Sequence, residues 1–294
     1  MHRPQALGSL GLMGDNAIEV EGLFKRYGKK TVLANLGFSV ESGTCVAVLG
    51  PNGAGKTTTV EILEGYRTWD SGRVCVLGED PGRAGPGWRR RRGVVLQGAS
   101  DLGELRVLEA VEFFAALYPD PWSPGELIEM VGLSRAVNQP IRALSGGQRR
   151  RVDVALGVVG RPELLFLDEP TTGFDPEARR QFWELIESLK RSGTTIVLTT
   201  HYLDEAEALA DKIVIVNRGR VVMEGKPEEI GRSGDGACVV RWRRSSGEQV
   251  EVQTTEPSSV IAAEFTRTGR ELAGLEILRP SLEERYLRLL AGEE

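Results

Sequence analysis

The sequence predicts an α/β fold built on a mostly parallel sheet that is covered on both faces. The prediction rests on short continuous apolar runs, on a glycine-rich loop directly after one of them, and on a helical pattern directly after that loop. Strands that are buried on both faces read as continuous apolar runs rather than as an alternation of apolar and polar residues. Such runs occupy residues 44–49, 94–96, 164–167, 195–199 and 213–216.

Other segments indicate additional parts of the same domain. Residues 17–21 and 36–41 read as a strand pair with turn-rich residues between them, which predicts an antiparallel β subdomain. Residues 98–160 have helical periodicity, so we expect an α-helical insertion to interrupt the sheet domain. The whole domain is expected to span residues 16–230, after a flexible tail at residues 1–15.

The pattern changes after Pro227, where the alternation of strands and helices stops. The glycine-rich residues 231–236 read as a linker, and residues 236–294 are predicted to form a small C-terminal α+β extension. Its predicted elements are strands at 237–243 and 249–254 and helices at 257–268 and from 281 onward. A chain of 294 residues is long enough for one large α/β domain and such an appendage.

The composition is that of a folded protein with no general attraction to nucleic acid. Hydrophobic residues make up 40% and charged residues 27% of the chain, and the net charge is −5. No run approaches the roughly 20 apolar residues that cross a bilayer, and the first residues lack the apolar core of a signal peptide, so we expect a soluble chain. Cys45, Cys75 and Cys238 lack metal-ligand spacing and are expected to be free thiols in a reducing cytosol.

A phosphate-binding loop follows the run at residues 44–49. It comprises Gly50, Pro51, Asn52, Gly53, Ala54, Gly55, Lys56, Thr57 and Thr58, which match the pattern G-x-x-x-x-G-K-[ST]. Glycines allow backbone N–H groups to converge on an anion, and the start of the following helix adds partial positive charge. Lys56 is expected to reach the outer phosphates and Thr57 to hold Mg²⁺. The sequence therefore predicts a nucleotide-binding P-loop NTPase with a RecA-like core.

The run at residues 164–167 ends in two carboxylates, Asp168 and Glu169. An apolar run that ends in Asp-Glu is also typical of an ordinary strand end. Beside a phosphate-binding loop, however, Asp168 is expected to hold Mg²⁺ through water, and Glu169 is expected to polarise the water that attacks the γ-phosphorus.

A second glycine-rich helix start lies between the loop and these carboxylates. It consists of Leu144, Ser145, Gly146, Gly147 and Gln148, and its hydroxyl and free N–H groups suit an anion. In combination with the loop, this pentapeptide resembles the signature of the ABC ATPases. The resemblance implies that the pentapeptide contacts ATP held by an opposite subunit, so that two chains form a head-to-tail dimer around two ATP molecules with Mg²⁺.

Further residues match positions of that family, and the resemblance covers residues 16–225. Tyr27 matches an aromatic residue that stacks on adenine, although a strand-edge aromatic is the alternative interpretation. Gln97 matches the Q-loop glutamine, which touches Mg²⁺ and senses the transmembrane partner. Asp175 matches the D-loop aspartate at the dimer interface, and His201 matches the switch histidine that contacts the γ-phosphate. The catalytic set implied by the resemblance is Lys56, Gln97, Glu169 and His201.

Two segments resemble the daunorubicin-type branch of drug-resistance exporters. One is Thr-His-Tyr-Leu-Asp-Glu-Ala-Glu, which begins at Thr200. The other is Pro-Ser-Leu-Glu-Glu-Arg-Tyr-Leu from Pro280, in which Glu-Arg-Tyr replaces the commoner Asp-Val-Phe. Phe174 stands where leucine is usual. The resemblance implies a homodimer, or a pair of related subunits, that drives a separate transmembrane permease from the cytoplasmic side of the cell membrane.

The cargo and the direction of transport stay open at this point. Multidrug or antibiotic export is the expectation, and lipid, polysaccharide, peptide or nutrient transport are alternatives. A non-transport ABC ATPase that acts on ribosomes or DNA is a further alternative, but such proteins usually carry two cassettes or a long coiled coil, and this chain has one signature and no sustained heptads. The basic residues 89–92 read as a solvated face rather than as a site.

Overall fold

A computed structural model describes residues 16–95, 102–232, 238–244, 246–278 and 281–291. Its strands are β1 (Asn16–Tyr27), β2 (Lys30–Glu41), β3 (Cys45–Leu49), β4 (Ser71–Val76), β5 (Arg92–Val95), β6 (Leu164–Asp168), β7 (Thr195–Thr199), β8 (Lys212–Asn217), β9 (Arg220–Gly225), β10 (Cys238–Arg243), β11 (Gln249–Thr254) and β12 (Ala273–Leu278). Its α-helices are α1 (Lys56–Leu63), α2 (Pro86–Arg90), α3 (Val107–Ala115), α4 (Pro124–Met130), α5 (Gly146–Val158), α6 (Pro176–Arg191), α7 (Leu203–Leu209), α8 (Pro227–Arg232), α9 (Pro257–Thr268) and α10 (Leu282–Ala291). Short 3₁₀ turns lie at Ser134–Ala136 and Ile141–Ala143.

The central sheet has the strand order β5-β6-β7-β3-β8-β9 and is parallel except for β9, which pairs antiparallel with β8. Every residue of β3 and β7 is buried, which explains why both strands read as continuous apolar or β-branched runs. Because β6, β7 and β3 are adjacent and parallel, their carboxyl ends lie side by side at one edge of the sheet. Ligands of open α/β sheets bind at this edge.

One face of the central sheet packs under a second, antiparallel sheet of order β2-β1-β4. Side chains of this second sheet, such as Ile18 and Leu36, share a buried cluster with Val46 and Val48 of β3 and with Ile62 of α1. The helix that follows the phosphate loop is thus fixed by apolar packing. Burying a side chain of this size contributes about 1.5–3 kcal/mol.

The other face of the central sheet packs against α3, α4, α5, α6 and α7 in a larger cluster. Val107 of α3, Leu127 of α4 and Val152 of α5 belong to it together with Leu165 and Leu167 of β6. The helical insertion therefore shares one apolar core with the sheet, and the helix that begins at the Leu144–Gln148 pentapeptide packs in the same cluster as β6.

The C-terminal extension has two differently placed parts. The sheet β11-β10-β12 and helix α9 enclose a small core of Cys238, Val240 and Trp242 with partly buried neighbours. Helix α10 instead packs against α7 and α8, and its residue Leu282, which is 2% exposed, belongs to the large cluster of the sheet domain. The chain thus returns to the sheet domain after forming the small sheet.

The predicted fold class is confirmed: an α/β core with an antiparallel β subdomain, a helical insertion and a C-terminal α+β part. Strands β9 and β12 were missing from the prediction: β9 alternates between exposed and half-buried residues, and β12 is exposed along its length. The predicted tail at residues 1–15 lies outside the described residues, and the predicted domain limits stay predictions. Within the described part of the chain, none of the helices has the length and apolar character that a membrane crossing requires.

Candidate nucleotide-binding site

The phosphate loop connects β3 to α1 and depends on two glycines. A Cβ atom at Gly50 would lie 2.2 Å from the carbonyl oxygen of Val216 in the neighbouring strand β8. Gly55, directly before α1, has φ 108°, and a Cβ atom there would lie 2.7 Å from a methyl carbon of Leu33. Positive φ and close approach to neighbouring chain segments are both conditions that glycine alone meets without strain. The packing of the neighbouring strands therefore fixes the conformation of the loop.

Lys56 is the first residue of α1 and is only 8% exposed. Its Nζ donates hydrogen bonds to the carbonyl oxygens of Gly50 at 2.7 Å and Pro51 at 3.2 Å, so the ammonium group lies across the mouth of the loop. Burial lowers the pKa of Lys56, whereas the nearby carboxylates of Glu169 and Asp168 oppose that shift. The structure thus brings the predicted lysine and both predicted carboxylates to one edge of the sheet.

Asp168 and Glu169 end β6 and are bonded to the end of β7 through Thr199. The Thr199 hydroxyl donates to Oδ1 of Asp168, and the backbone N–H of Glu169 donates to the carbonyl oxygen of Thr199 at 3.0 Å. Glu169 itself has φ 42°, an uncommon conformation for a residue with a side chain. Strained backbone of this kind is often found at functional sites.

His201 lies beside Glu169 after the end of β7. Its Nδ1 is 3.5 Å from Oε2 of Glu169, and its ring centroid is 4.1 Å from that of Tyr202. The hydroxyl of Thr172 donates to the same Oε2 at 3.4 Å. The His201 side chain is 45% exposed, so the imidazole is oriented by Glu169 and open to a ligand on its other side.

Thr57 and Asp168 offer the oxygen atoms that Mg²⁺ prefers. Thr57 is exposed at the start of α1, and the Asp168 carboxylate is partly exposed at the end of β6. Among the described residues no group of three or more His, Cys, Asp and Glu side chains could enclose a metal by itself. This donor set fits an ion that takes most of its ligands from a nucleotide and water, as Mg²⁺ does at phosphate sites.

The pentapeptide Leu144–Gln148 begins helix α5, with Ser145 as its N-cap. Oγ of Ser145 accepts a hydrogen bond from the backbone N–H of Gln148 at 3.2 Å, and the Gln148 side chain accepts one from the backbone N–H of Ser145 at 3.0 Å. This reciprocal capping box fixes the helix start. Leu144 is buried beneath it, while Ser145 and Gly146 are exposed. The Ser145 side chain and the backbone of Gly146 therefore lie at the protein surface.

Arg150 links this helix to the carboxylates, and sequence reasoning missed it. Its Nη2 donates to the carbonyl oxygen of Asp168 at 2.8 Å, and its Nε donates to that of Pro170 at 3.2 Å. Burial lowers the pKa of Arg150, and Asp153 and Asp168 oppose the shift. Residues 149–151 are three consecutive arginines, so composition alone does not distinguish Arg150 from its neighbours. Only its position around the helix axis, compared with the buried Val152 and Val154, would have favoured Arg150 as the buried arginine.

The remaining predicted residues have different surroundings. Asp175 caps α6 through a hydrogen bond that its Oδ1 accepts from the backbone N–H of Ala178 at 2.8 Å, and it is exposed. Tyr27 is 41% exposed at the end of β1, with the cationic ends of Lys25 and Arg67 at 5.2 and 5.8 Å from its ring centroid. Gln97 lies outside the described residues. In the described part of the chain, neither Asp175 nor Tyr27 is hydrogen-bonded to the phosphate loop.

A loop of this geometry, with a buried lysine and a neighbouring pair of carboxylates, defines a nucleoside-triphosphate-binding protein of the P-loop class. The profile of the ABC transporter family matches residues 33–172. The chain is 38% identical to the Nod factor export ATP-binding protein I of Ralstonia nicotianae, over 96% of either chain. It is 37% identical to a daunorubicin resistance ATP-binding protein of Streptomyces coeruleorubidus, over 96% of this chain and 98% of the relative. The chain therefore belongs to the ABC transporter family, as an ATPase subunit.

A solved structure of the same kind is a dimeric ATP-binding cassette in a post-hydrolysis state with ADP and Pi. It shares 25% identity with this chain at a TM-score of 0.63, and the match covers 71% of this chain and 98% of the solved one. The solved cassette thus matches most of this chain and almost all of its own length.

Proposed function

We propose that this chain is the motor of an exporter, in which two copies, or one copy and a related subunit, close around two ATP molecules and drive a separate membrane permease. The proposal rests chiefly on one observation: the chain has a complete phosphate cradle at Lys56 and, on another helix, an anion-binding helix start at Ser145 that faces outward. A head-to-tail pair of chains would bring the second feature of each chain to the nucleotide held by the first feature of the other.

In this proposal the nucleotide is held by the phosphate loop, with the loop N–H groups and Lys56 on the phosphates and Tyr27 beside the base. Thr57 and Asp168 would hold Mg²⁺, which supplies charge neutralisation on the phosphate oxygens. Lys56 already bridges two loop carbonyls, so its ammonium group is positioned before ATP arrives. Such preorganisation lowers the free energy needed to order the site on binding.

Hydrolysis requires a water molecule placed in line with the bond between the γ-phosphorus and its bridging oxygen. Glu169 would orient this water and accept its proton, while His201 donates to the γ-phosphate. The contact of 3.5 Å between Nδ1 of His201 and Oε2 of Glu169 supports a joint role for the two groups. Ser145 of the facing chain would add a hydroxyl and N–H groups to the developing charge.

Export is favoured by the relatives, one named for Nod factor export and one for daunorubicin resistance. Because the two identities are nearly equal, drug export and export of another cargo are both consistent with the chain. The cargo contacts belong to the permease in this proposal, and the Gln97 region is its expected docking groove. The motor itself would work at the cytoplasmic face of the membrane.

Replacing Glu169 by Gln tests the proposed dimer. The variant keeps the side-chain shape and loses the proton acceptor, so it should bind ATP normally and lose about 1,000-fold in hydrolysis rate. In size-exclusion chromatography the variant should then elute as a dimer with magnesium ATP and as a monomer with ADP. A second substitution, Ser145→Arg, should restore the monomer because it blocks the outward helix start. Wild-type turnover in Glu169→Gln would refute its assigned role, and a monomer with ATP would refute the sandwich.

The permease is tested in proteoliposomes with the membrane protein encoded beside this chain. We expect the hydrolysis rate per motor to rise several-fold with the permease present and to respond further to its cargo. Gln97→Ala should weaken that response, measured as the ratio of the rates with and without the permease. Equal rates with and without the membrane protein would contradict the coupling.

A further inference from the structure

Helix α7 carries a buried carboxyl group that the proposed chemistry does not use. Glu205 is completely buried, four residues after His201, on the helix that follows the switch segment. Ionisable side chains are seldom buried to this degree unless they are paired or have a task. Its surroundings therefore indicate what that task is.

Two fully buried threonines act on this carboxyl group, and they come from two different segments of the site. Thr200 directly precedes His201, and Thr171 opens the segment that leads from the carboxylate strand to Asp175. The hydroxyl groups of both threonines oppose the rise in the pKa of Glu205. Among the residues that the structure describes, however, neither carboxyl oxygen of Glu205, nor the hydroxyl of Thr171, reaches a partner at hydrogen-bond geometry. The Thr200 hydroxyl accepts a hydrogen bond from the backbone N–H of Tyr202 at 3.0 Å, so its proton is still available for a neighbouring acceptor such as Glu205.

Arg150 and Arg179 are cationic groups that interact electrostatically with Glu205, and both also have contacts with other residues. Arg179 forms an ion pair with Asp204 at 3.0 Å and lies over the Tyr202 ring at 4.7 Å. Burial is the largest influence on Glu205 and raises its pKa, which favours the neutral acid. A neutral carboxyl group can donate one hydrogen bond and accept another, so it can bridge two hydroxyl groups.

Helix α7 is also a firm base for such a bridge. Ala206 and Leu209 of the same helix are buried in the large core cluster, and α10 packs against this helix as well. Thr200 instead directly follows β7 and precedes His201, and Thr171 lies in the turn between β6 and Asp175. Movement of those segments toward a nucleotide would thus occur relative to a fixed Glu205.

We propose that Glu205 is a positioning residue, which binds the hydroxyl groups of Thr171 and Thr200 when the site closes and so aligns the switch and D-loop segments together. The inference rests on the proposed function, because it assumes that His201 and Asp175 act on nucleotide in the closed dimer. Glu205 touches neither ATP nor water in this role; it acts through the two threonines.

The test compares Glu205→Leu with Glu205→Gln in steady-state ATP hydrolysis by the full-length protein. Leucine fills the site without hydrogen bonds, so we expect kcat to fall about tenfold while the KM for ATP stays within about twofold. Glutamine can donate and accept like the neutral acid, and it should keep kcat within about twofold of wild type. Rates are expressed per nucleotide-binding site, counted by saturation with a fluorescent ATP analogue, and melting temperatures are recorded for each variant. Glu207→Leu, at an exposed position of the same helix, is the matched control and should behave as wild type.

A folded Glu205→Leu protein with wild-type kcat would overturn the proposal, and so would a Gln variant as slow as the Leu variant. If Glu205→Leu does not fold, Thr171→Val decides: a lower kcat at unchanged KM supports the bridge, and a wild-type kcat overturns it. A wild-type chain that fails to hydrolyse ATP would instead contradict the proposed function. The two failures are therefore distinguishable.

Discussion

The starts of helices α1 and α5 have similar residues but differ in how much of their surroundings the protein provides. Gly55 directly precedes α1 and Gly146 is the first residue of α5, and the first-turn N–H groups of a helix suit an anion. At α1 the loop is enclosed by neighbouring strands, and a buried lysine completes it. At α5 a capping box satisfies the helix start locally, and Ser145 and Gly146 face outward. One site is a cradle, and the other is a surface.

The difference indicates a division of labour between the two helix starts. A cradle can hold phosphate by itself, because its groups converge on one point. An outward helix start has donors on one side of the ligand only, so it gains strength when another surface presents the anion. Arg150 meanwhile links α5 to the carbonyl oxygens of Asp168 and Pro170, so the helix that carries the outward surface is hydrogen-bonded to the segment that carries the predicted catalytic carboxylates.

Complementation between two variants would break or support this comparison most strongly. Lys56→Ala should weaken ATP binding about 100-fold, because a charge-assisted contact is lost, whereas Ser145→Arg should leave the affinity of the monomer within about twofold. Each variant alone should hydrolyse almost no ATP. Mixed in equal amounts, they should recover about a quarter of the wild-type rate, since half of the dimers are mixed and each of these has one intact site of two.

The control is the double variant Lys56→Ala with Ser145→Arg mixed with wild type, since its mixed dimers have one damaged element in each site and should add no activity. A mixture of Lys56→Ala and Ser145→Arg that hydrolyses ATP no faster than the two variants alone would mean that both elements serve the same nucleotide within one chain.

The two helices also differ in the pKa of a buried carboxyl group that lies in or next to each of them. Burial raises the pKa of Glu64, after the end of α1, to about 8, with Arg92 opposing the shift and Asp168 and Glu61 adding to it. Burial raises the pKa of Asp153 in α5 to about 6, with Arg150 and Arg149 opposing the shift. A raised pKa means that the folded protein binds a proton that the unfolded chain has already lost, so the stabilising effect of the bound proton falls as the pH rises through the folded pKa.

We therefore expect Glu64→Gln and Asp153→Asn to flatten different parts of the stability profile. Between pH 7 and 9 the melting temperature of wild type should fall by about 2–4 °C more than that of Glu64→Gln, which cannot ionise. Asp153→Asn should parallel wild type over that interval, because Asp153 is ionised in both states above its folded pKa, and should differ only between about pH 4 and 6. Differential scanning calorimetry of the three proteins measures this. Parallel profiles for Glu64→Gln and wild type above pH 7 would show that Glu64 titrates normally.

The sequence by itself determined the local elements of the site. The phosphate loop, the strand ending in Asp168 and Glu169, and the helix start at Ser145 were predicted because each depends on neighbours within a few residues: glycines for the turn, apolar residues for the strand, and Ser145 with Gln148 for the cap. The predicted roles of these residues await the experiments above. The fold class followed from the same local signals and is confirmed.

Tertiary structure alone decided which of these elements meet. Thr199 bonds to Asp168 and Glu169 across 30 residues or more, and Arg150 reaches the same strand end from another helix. Glu205 faces Thr171 because α7 packs under the strand ends. Such contacts depend on strand order and on the packing of segments that are distant in the sequence. Sequence periodicity does not indicate them, because many residues of the same type would satisfy the local pattern equally well.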